Sequence, residues 1–172
     1  MSRIDTLKFE DTTDAVRPLL EGVQKNIGFL PNVFKTLAHA PAVLSSYVQQ
    51  SAALGKTSLS AVEKEAIFLA TSQVNGCDYC LAAHTLFAGK AGLSTSDILS
   101  ARQGELNAYA TLARQITESR GHLSSEQIAA ARVAGINDAK IVEVIAHVAS
   151  QTLTNYLNNV ALTEIDFPAI DA

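Results

Sequence analysis

Hydrophobic residues along this chain return every three or four positions, the spacing of helices that bury one face. The alternating, β-branched runs that signal strands are missing. The pattern predicts an all-α, compact helical bundle. Residues 1–12 are polar and read as irregular. A short helix is expected from about Asp14 to Asn26, with Pro18 accommodated only in a first turn. Ile27 to Asn32 reads as a turn, Val33 to Ala38 as a brief helix, and Pro41 to Leu54 as a longer one ended by Gly55.

Ser60-Ala61-Val62-Glu63 has the form of a capping box, with Ser60 as N-cap and Glu63 reaching back. The helix behind it is apolar nearly all round at Ala66 to Ala70, which predicts a central position. Asn75-Gly76 stops it. A next helix is expected from near Cys77 to about Ala91, then Asp97 to Arg102 behind Ser94 or Thr95, and Glu105 to Ser119. Another starts at Ser124 or Ser125 and ends near Ala134-Gly135. A long last helix runs from Asn137 or Asp138 to about Leu162, closed by the Phe167-Pro168 tail. Leu59-Ser60-x-x-Glu63 with Ala91-Gly92-Leu93-Ser94, and Leu123-Ser124-x-Glu126 with Ala134-Gly135-Ile136-Asn137, share a faint grammar. It fits either an internal duplication or two ordinary capped helices.

The 172 residues are most simply one domain, 1–172, with a core motif at 60–91 and enough chain for a core without disulfide staples. Hydrophobic residues at 48% and charged residues at 17% argue against disorder. A net charge of −4 and the absence of Trp leave no basic or base-stacking surface, so nucleic acid is not an expected partner. No apolar run approaches the ~20 residues that span a bilayer, and the N-terminus has no apolar signal region. The expected compartment is the cytoplasm, where a Cys-x-x-Cys pair is more often catalytic or metal-binding than structural.

That pair is Cys77 and Cys80, with His84 one helical turn further on, all three on one helix stripe. Glu65 lies on the preceding helix beside Val62, Ala66 and Leu69, so it is expected to be buried or half-buried and to need a partner. A helix N-terminus lowers thiol pKa, and the effect is strongest in the first turn, where Cys80 falls. His84 could take the Cys80 proton or hold one for a leaving group, and Glu65 could orient His84 or shuttle protons by way of water. A disulfide between residues three apart on a regular helix would be strained and reducible. The chemistry these residues admit is attack by Cys80 on a peroxide oxygen, a sulfenic acid, and condensation with Cys77.

The full set, Glu65-x11-Cys77-x2-Cys80-x3-His84, resembles the active-site motif of the alkylhydroperoxidase D-like group within the carboxymuconolactone decarboxylase family. Phe29-Leu30-Pro31-Asn32 and the stretch from Asn155-Tyr156-x2-Asn159 to Asp166-Phe167-Pro168 look like its peroxidase-related branch, so the likeness runs from about residue 28 to 168. The resemblance implies that Cys80 is the peroxidatic cysteine, Cys77 the resolving one, and His84 with Glu65 a proton relay. It implies a homo-oligomer (trimer or hexamer), a small hydroperoxide substrate, a dithiol reductant such as a lipoylated protein, antioxidant activity, and no metal or organic cofactor. The best-known peroxidase of the group has a His next to the second cysteine, where this chain has Tyr79, which faces away from the stripe on an ideal helix.

Other readings compete. The cysteines could simply pack in a core, or join His84 and Glu65 around zinc, although a fourth Cys or His ligand is lacking nearby. A thioredoxin fold would need a βαβ pattern that is not there. A lactone decarboxylase of the family's other branch would not need the cysteines, and a helical interaction module would not use them. His147, among Val144, Ile145, Val148 and Gln151, reads first as a core or interface histidine. Asn155 and Asn159 fit a subunit boundary or solvent, His39 and His122 the surface, and Lys140 and Glu143 an ordinary charged helix face.

Overall fold

The computed structural model describes residues 2–167, and Pro168 of the expected tail lies outside them. Among the described residues there are nine α-helices and no strand: α1 (Arg17–Ile27), α2 (Asn32–Leu37), α3 (Pro41–Leu54), α4 (Ala61–Val74), α5 (Asp78–Lys90), α6 (Thr95–Arg102), α7 (Ala108–Ser119), α8 (Ser125–Val133) and α9 (Asp138–Ala161). Pro18 sits in the first turn of α1, where its missing N–H costs nothing.

Local chemistry accounts for most of the helix starts. Ser60, Ser94 and Ser124 each form a capping box, with Glu63, Asp97 and Gln127 respectively. The grammar shared by two parts of the sequence is thus at least the capping chemistry of these helices. Asn137 caps α9. The helix expected from Glu105 begins later, because the Asn107 side chain accepts from the backbone N–H groups of Tyr109 and Ala110 and starts α7 at Ala108. Residues 2–12 are less loose than their polarity implied. Arg3 N–H donates to the Ala161 carbonyl at 2.7 Å, Phe9–Asp11 form a 3-10 turn, and Leu7 and Phe9 pack onto the core.

α4 is the central helix, packed against α5, α6, α7 and α9, with Ala66, Ile67, Leu69 and Ala70 fully buried. This is the burial its all-round apolar pattern predicted. The core has two lobes. One gathers apolar side chains of α4, α6, α7, α8 and α9, including Ile67, Leu69, Leu112 and Val144. The other joins Val16, Leu20, Val33, Leu37 and Leu44 to Cys77, Tyr79, Cys80 and Phe167. The cysteines therefore belong to the second lobe, built by α1–α3 against the start of α5.

The reversal between α4 and α5 is a Schellman turn. Gly76 N–H donates to the Gln73 carbonyl and Cys77 N–H to the Ser72 carbonyl, with Gly76 in the left-handed region at φ +61°. No atom lies within 4 Å of where a Gly76 side chain would start, so the demand there is conformational rather than steric. Gly76→Ala is therefore expected to lower stability by about 1–2 kcal/mol, visible in thermal melts as about 2–4 °C per kcal/mol for a chain of this size. An unchanged melting temperature would show that the turn does not need its left-handed residue.

Candidate active site

Cys77 is the N-cap of α5, and its sulfur accepts from the Cys80 backbone N–H at 3.3 Å. The cap position turns the Cys77 side chain back over the first helical turn, so the two free thiols meet. The Cys77 S–H donates to Cys80 Sγ across 2.6 Å. Asn158, from α9, donates its side-chain N–H to Cys80 Sγ at 3.3 Å. The hydrogen bond from Cys77 is the leading cause that holds the Cys80 thiol below the ordinary range, helped by Asn158 and Asn155 and opposed by burial. The Cys77 thiol is pushed up by the same hydrogen bond, in which it is the donor, and then by burial. Cys80 is thus the thiol that ionises and Cys77 the one that stays protonated.

Access separates them in the same direction. Cys77 is 0% exposed and Cys80 3%. Cys80, and not Cys77, lines a cavity of about 270 Å³. Its walls are largely apolar and aromatic, with Phe34, Tyr47, Phe68, Phe87 and Phe167 among them.

α4 and α5 run back to back from the Schellman turn, which brings Glu65 opposite His84. Glu65 Oε2 and His84 Nδ1 are 2.8 Å apart, both half-buried. The other ring nitrogen of His84, Nε2, meets Gln151 Oε1 at 3.1 Å. Gln151 in turn donates to the Ser72 hydroxyl at 2.9 Å, and Phe68 stacks on the imidazole with ring centroids 4.7 Å apart. His84 thus faces the cavity without a hydrogen bond to either sulfur. Cys77 and Asn158 are the partners of Cys80, so a proton passing between Cys80 and His84 has no direct hydrogen bond to follow and needs water or a ligand in the cavity.

Tyr79 seals one wall. Its hydroxyl donates to Asp166 Oδ1 at 2.8 Å and accepts from the Val33 N–H at 3.1 Å. Asp166 Oδ2 accepts from the Asn32 N–H at 2.8 Å, and Phe29 packs edge-on against Phe167. The Phe29 to Asn32 turn and the segment around Asp166-Phe167, far apart in sequence, are two sides of one clasp. Burial pushes the Tyr79 phenol up, so it stays a donor and is not an acid–base relay near neutral pH.

α9 supplies residues that spacing around the cysteines did not reveal. His147, Gln151, Thr154 and Asn158 fall on one of its faces and all line the cavity. That polar row inside an otherwise apolar helix is the signal that could have found them. Tyr47 of α3 also lines the cavity, its phenol pushed up to about 12, first by burial and then by the Cys80 sulfur. Asn155 and Asn159 are corrected from boundary or solvent positions. Asn155 is fully buried and accepts from the Asn75 side chain at 2.9 Å, and Asn159 donates to the Asn75 carbonyl, so both brace the turn beneath the cysteines within one chain. Glu143 is not idle either, since it holds the Ser58 N–H and hydroxyl, while Lys140 bonds Tyr109. His39 and His122 are exposed, as expected. Among the described residues, no group of three or more His, Cys, Asp or Glu side chains is arranged to hold a metal ion, which counts against the zinc reading. Nor is any helix there long and apolar enough to cross a membrane.

Residues 41–118 match the model of the carboxymuconolactone decarboxylase family. The fold is that of the alkylhydroperoxidase AhpD core. A protein described as an alkylhydroperoxidase AhpD core, an uncharacterized peroxidase-related protein from Ralstonia eutropha JMP134, superimposes with a TM-score of 0.84 at 24% identity, covering 96% of this chain and 92% of that one. A peroxidase-related protein from Silicibacter sp. TM1040 gives 0.78 at 20% identity, over 94% and 92%. A cysteine-to-alanine variant of the debrominase Bmp8, in complex with 2,3,4-tribromopyrrole, gives 0.80 at 19% identity, over 96% and 92%. No curated protein matches the sequence.

Two measurements check the electrostatics. Alkylation of the native protein should label Cys80 first, with a pH midpoint below that of an ordinary thiol, and Cys77→Ala should raise that midpoint by removing the donor; an unmoved midpoint would contradict the assignment. His147 is held down to about 4, from 6.5, chiefly by burial and then by Lys64. The folded chain therefore binds a proton there less readily than the unfolded chain. His147 favours folding above the ordinary value and loses that contribution as the pH falls from 6.5 towards 4. Denaturant melts across that window should show a fall that is smaller in His147→Gln.

Proposed function

We propose that this protein is a thiol-dependent hydroperoxide reductase. The observation that carries the reading is the sulfur pair: an acidified Cys80 facing an apolar cavity, with a fully buried, protonated Cys77 in bonding reach behind it. The Cys80 thiolate attacks the terminal oxygen of R–O–O–H. An S–O bond forms, the O–O bond breaks, and the alkoxide leaves to take up a proton as ROH. Asn158 Oδ1, buried without a partner beside the sulfur, suits the O–H of the peroxide and of the resulting sulfenic acid. Glu65 and His84 share the proton between them and relay it through cavity water to the leaving oxygen. Cys77 then attacks Cys80 Sγ, the S–S bond forms, and the hydroxyl departs as water with the Cys77 proton. An external dithiol, of the lipoylated-protein kind, restores both thiols.

The remaining parts of the reading follow from the same frame. The cycle belongs in a reducing compartment such as the cytoplasm, serves peroxide defence, and needs no metal or organic cofactor. Val142, Ile145, Tyr156 and Val160 are exposed on α9, and an apolar face of this kind supports a homo-oligomer, trimeric or hexameric. A second reading is reductive dehalogenation, favoured by the aromatic cavity walls and by the Bmp8 likeness. There Cys80 would take the halogen as S–X, the carbon would gain a proton, and Cys77 would release halide as the disulfide forms.

One equivalent of an organic hydroperoxide should take the free-thiol count from two to zero. Cys80→Ser should abolish turnover, and Cys77→Ser should leave a sulfenic acid trapped at Cys80, detectable by dimedone labelling. Full peroxide consumption by Cys80→Ser would overturn the proposal. Halide release from a bromopyrrole with no peroxide consumption would select the second reading.

A further inference from the structure

The cavity has a second polar end that the sulfur chemistry does not use. His147 is 2% exposed and lines the same cavity as Cys80. Its Nε2 is 3.1 Å from the Thr57 hydroxyl oxygen. Thr57 has a single proton, and it is donated to the Leu54 carbonyl at 2.8 Å. With that proton on the Leu54 carbonyl, the Thr57 oxygen accepts from His147, which places the imidazole proton on Nε2 and leaves Nδ1 as an acceptor. That Nδ1 is buried and has no partner.

No neighbour supplies a donor to it. Glu143, one turn earlier on α9, is a carboxylate that accepts from Ser58. The Lys64 ammonium, which lines the same cavity, donates to the Gly55 carbonyl at 2.9 Å and makes no bond to His147. Phe68 meets the imidazole at a steep angle, with ring centroids 5.4 Å apart. A buried acceptor left empty costs free energy comparable to a lost hydrogen bond, so a vacant one on a cavity wall calls for a ligand group. The low proton affinity noted above keeps this nitrogen an acceptor rather than a cation near neutral pH.

Position then sets the shape of the ligand. His147 and Asn158 are separated by about 16 Å along the α9 axis, and Asn158 touches the reacting sulfur. Between them on α9, Gln151 and Thr154 are already hydrogen-bonded within the protein, and the rest of the wall is largely aromatic and apolar. We infer that His147 Nδ1 forms a distal recognition subsite, which selects elongated apolar substrates carrying a neutral hydrogen-bond donor, a hydroxyl or N–H, at the end remote from the group attacked by Cys80. The inference rests on the hydroperoxide reading only for the identity of the group at the sulfur.

Two probes with the same eight-carbon chain separate the donor from mere polarity: 8-hydroxyoctyl hydroperoxide and 8-methoxyoctyl hydroperoxide. Wild type should favour the hydroxyl probe about tenfold in kcat/KM, the effect of one well-placed buried hydrogen bond. In His147→Leu that ratio should fall to near one, whereas His147→Gln, which keeps an acceptor, should retain part of it. Equal ratios in wild type and His147→Leu would overturn the inference. A binding arm works without turnover: 1-octanol should shift the ¹⁵N resonance of His147 Nδ1 in the dithiol protein, and 1-methoxyoctane should not. An unmoved resonance with bound octanol would also overturn it. If neither hydroperoxide is consumed, the peroxidase reading fails, and the resonance still decides the subsite.

Discussion

The structure depends on how one chain reversal satisfies its backbone. At Asn75-Gly76-Cys77 the final carbonyls of α4 and an early amide of α5 all have to find partners inside a core. The Schellman pair on Gln73 and Ser72 serves the first helix, and the Cys77 sulfur serves the second. Once the reversal is set this way, little else at the centre is free. Cys77 must stand at the cap, Cys80 must sit one turn inside under the positive end of α5, and Glu65 must come level with His84. Asn155 and Asn159 hold Asn75 from below, so the long last helix is tied to the same point.

The two lobes of the core divide the labour. The lobe behind α4 supplies rigidity, with Ile67 and Leu69 entirely enclosed. The lobe in front is thinner and has the cavity in it. Its outer wall is a clasp made from distant segments: Tyr79 bridges Val33 and Asp166, and Asp166 reaches on to Asn32. These bonds position Phe167 in the wall of the cavity that Cys80 lines, so the apolar surroundings of that thiol come from the clasp as much as from the helices.

Much of this was legible in the sequence, because short-range chemistry dictates it. The capped serines, the Asn75-Gly76 stop, the apolar girdle of α4 and the stripe of Cys77, Cys80 and His84 are each decided within a few residues. Glu65 could be placed because a tight reversal pairs positions lying at similar distances from it. The residues that escaped are those whose role is fixed by packing between remote elements. Asn158 meets Cys80 only because α9 crosses α5, and His147 acquires a meaning only when Thr57 is seen to spend its proton elsewhere. Asn107 was overlooked for a different reason: Glu105 offers a plausible first turn, and nothing local says that an amide two residues later will win the cap.

The sulfur of Cys77 has two occupations that cannot both be performed at full strength. As a thiol it closes the amino end of α5 by accepting from the Cys80 amide. In the disulfide of the proposed cycle it would be a poorer acceptor, and that amide would lose part of its tether. The oxidised form would then have a looser first turn of α5, and reduction would restore the cap, so the helix that presents the pair would favour the dithiol state.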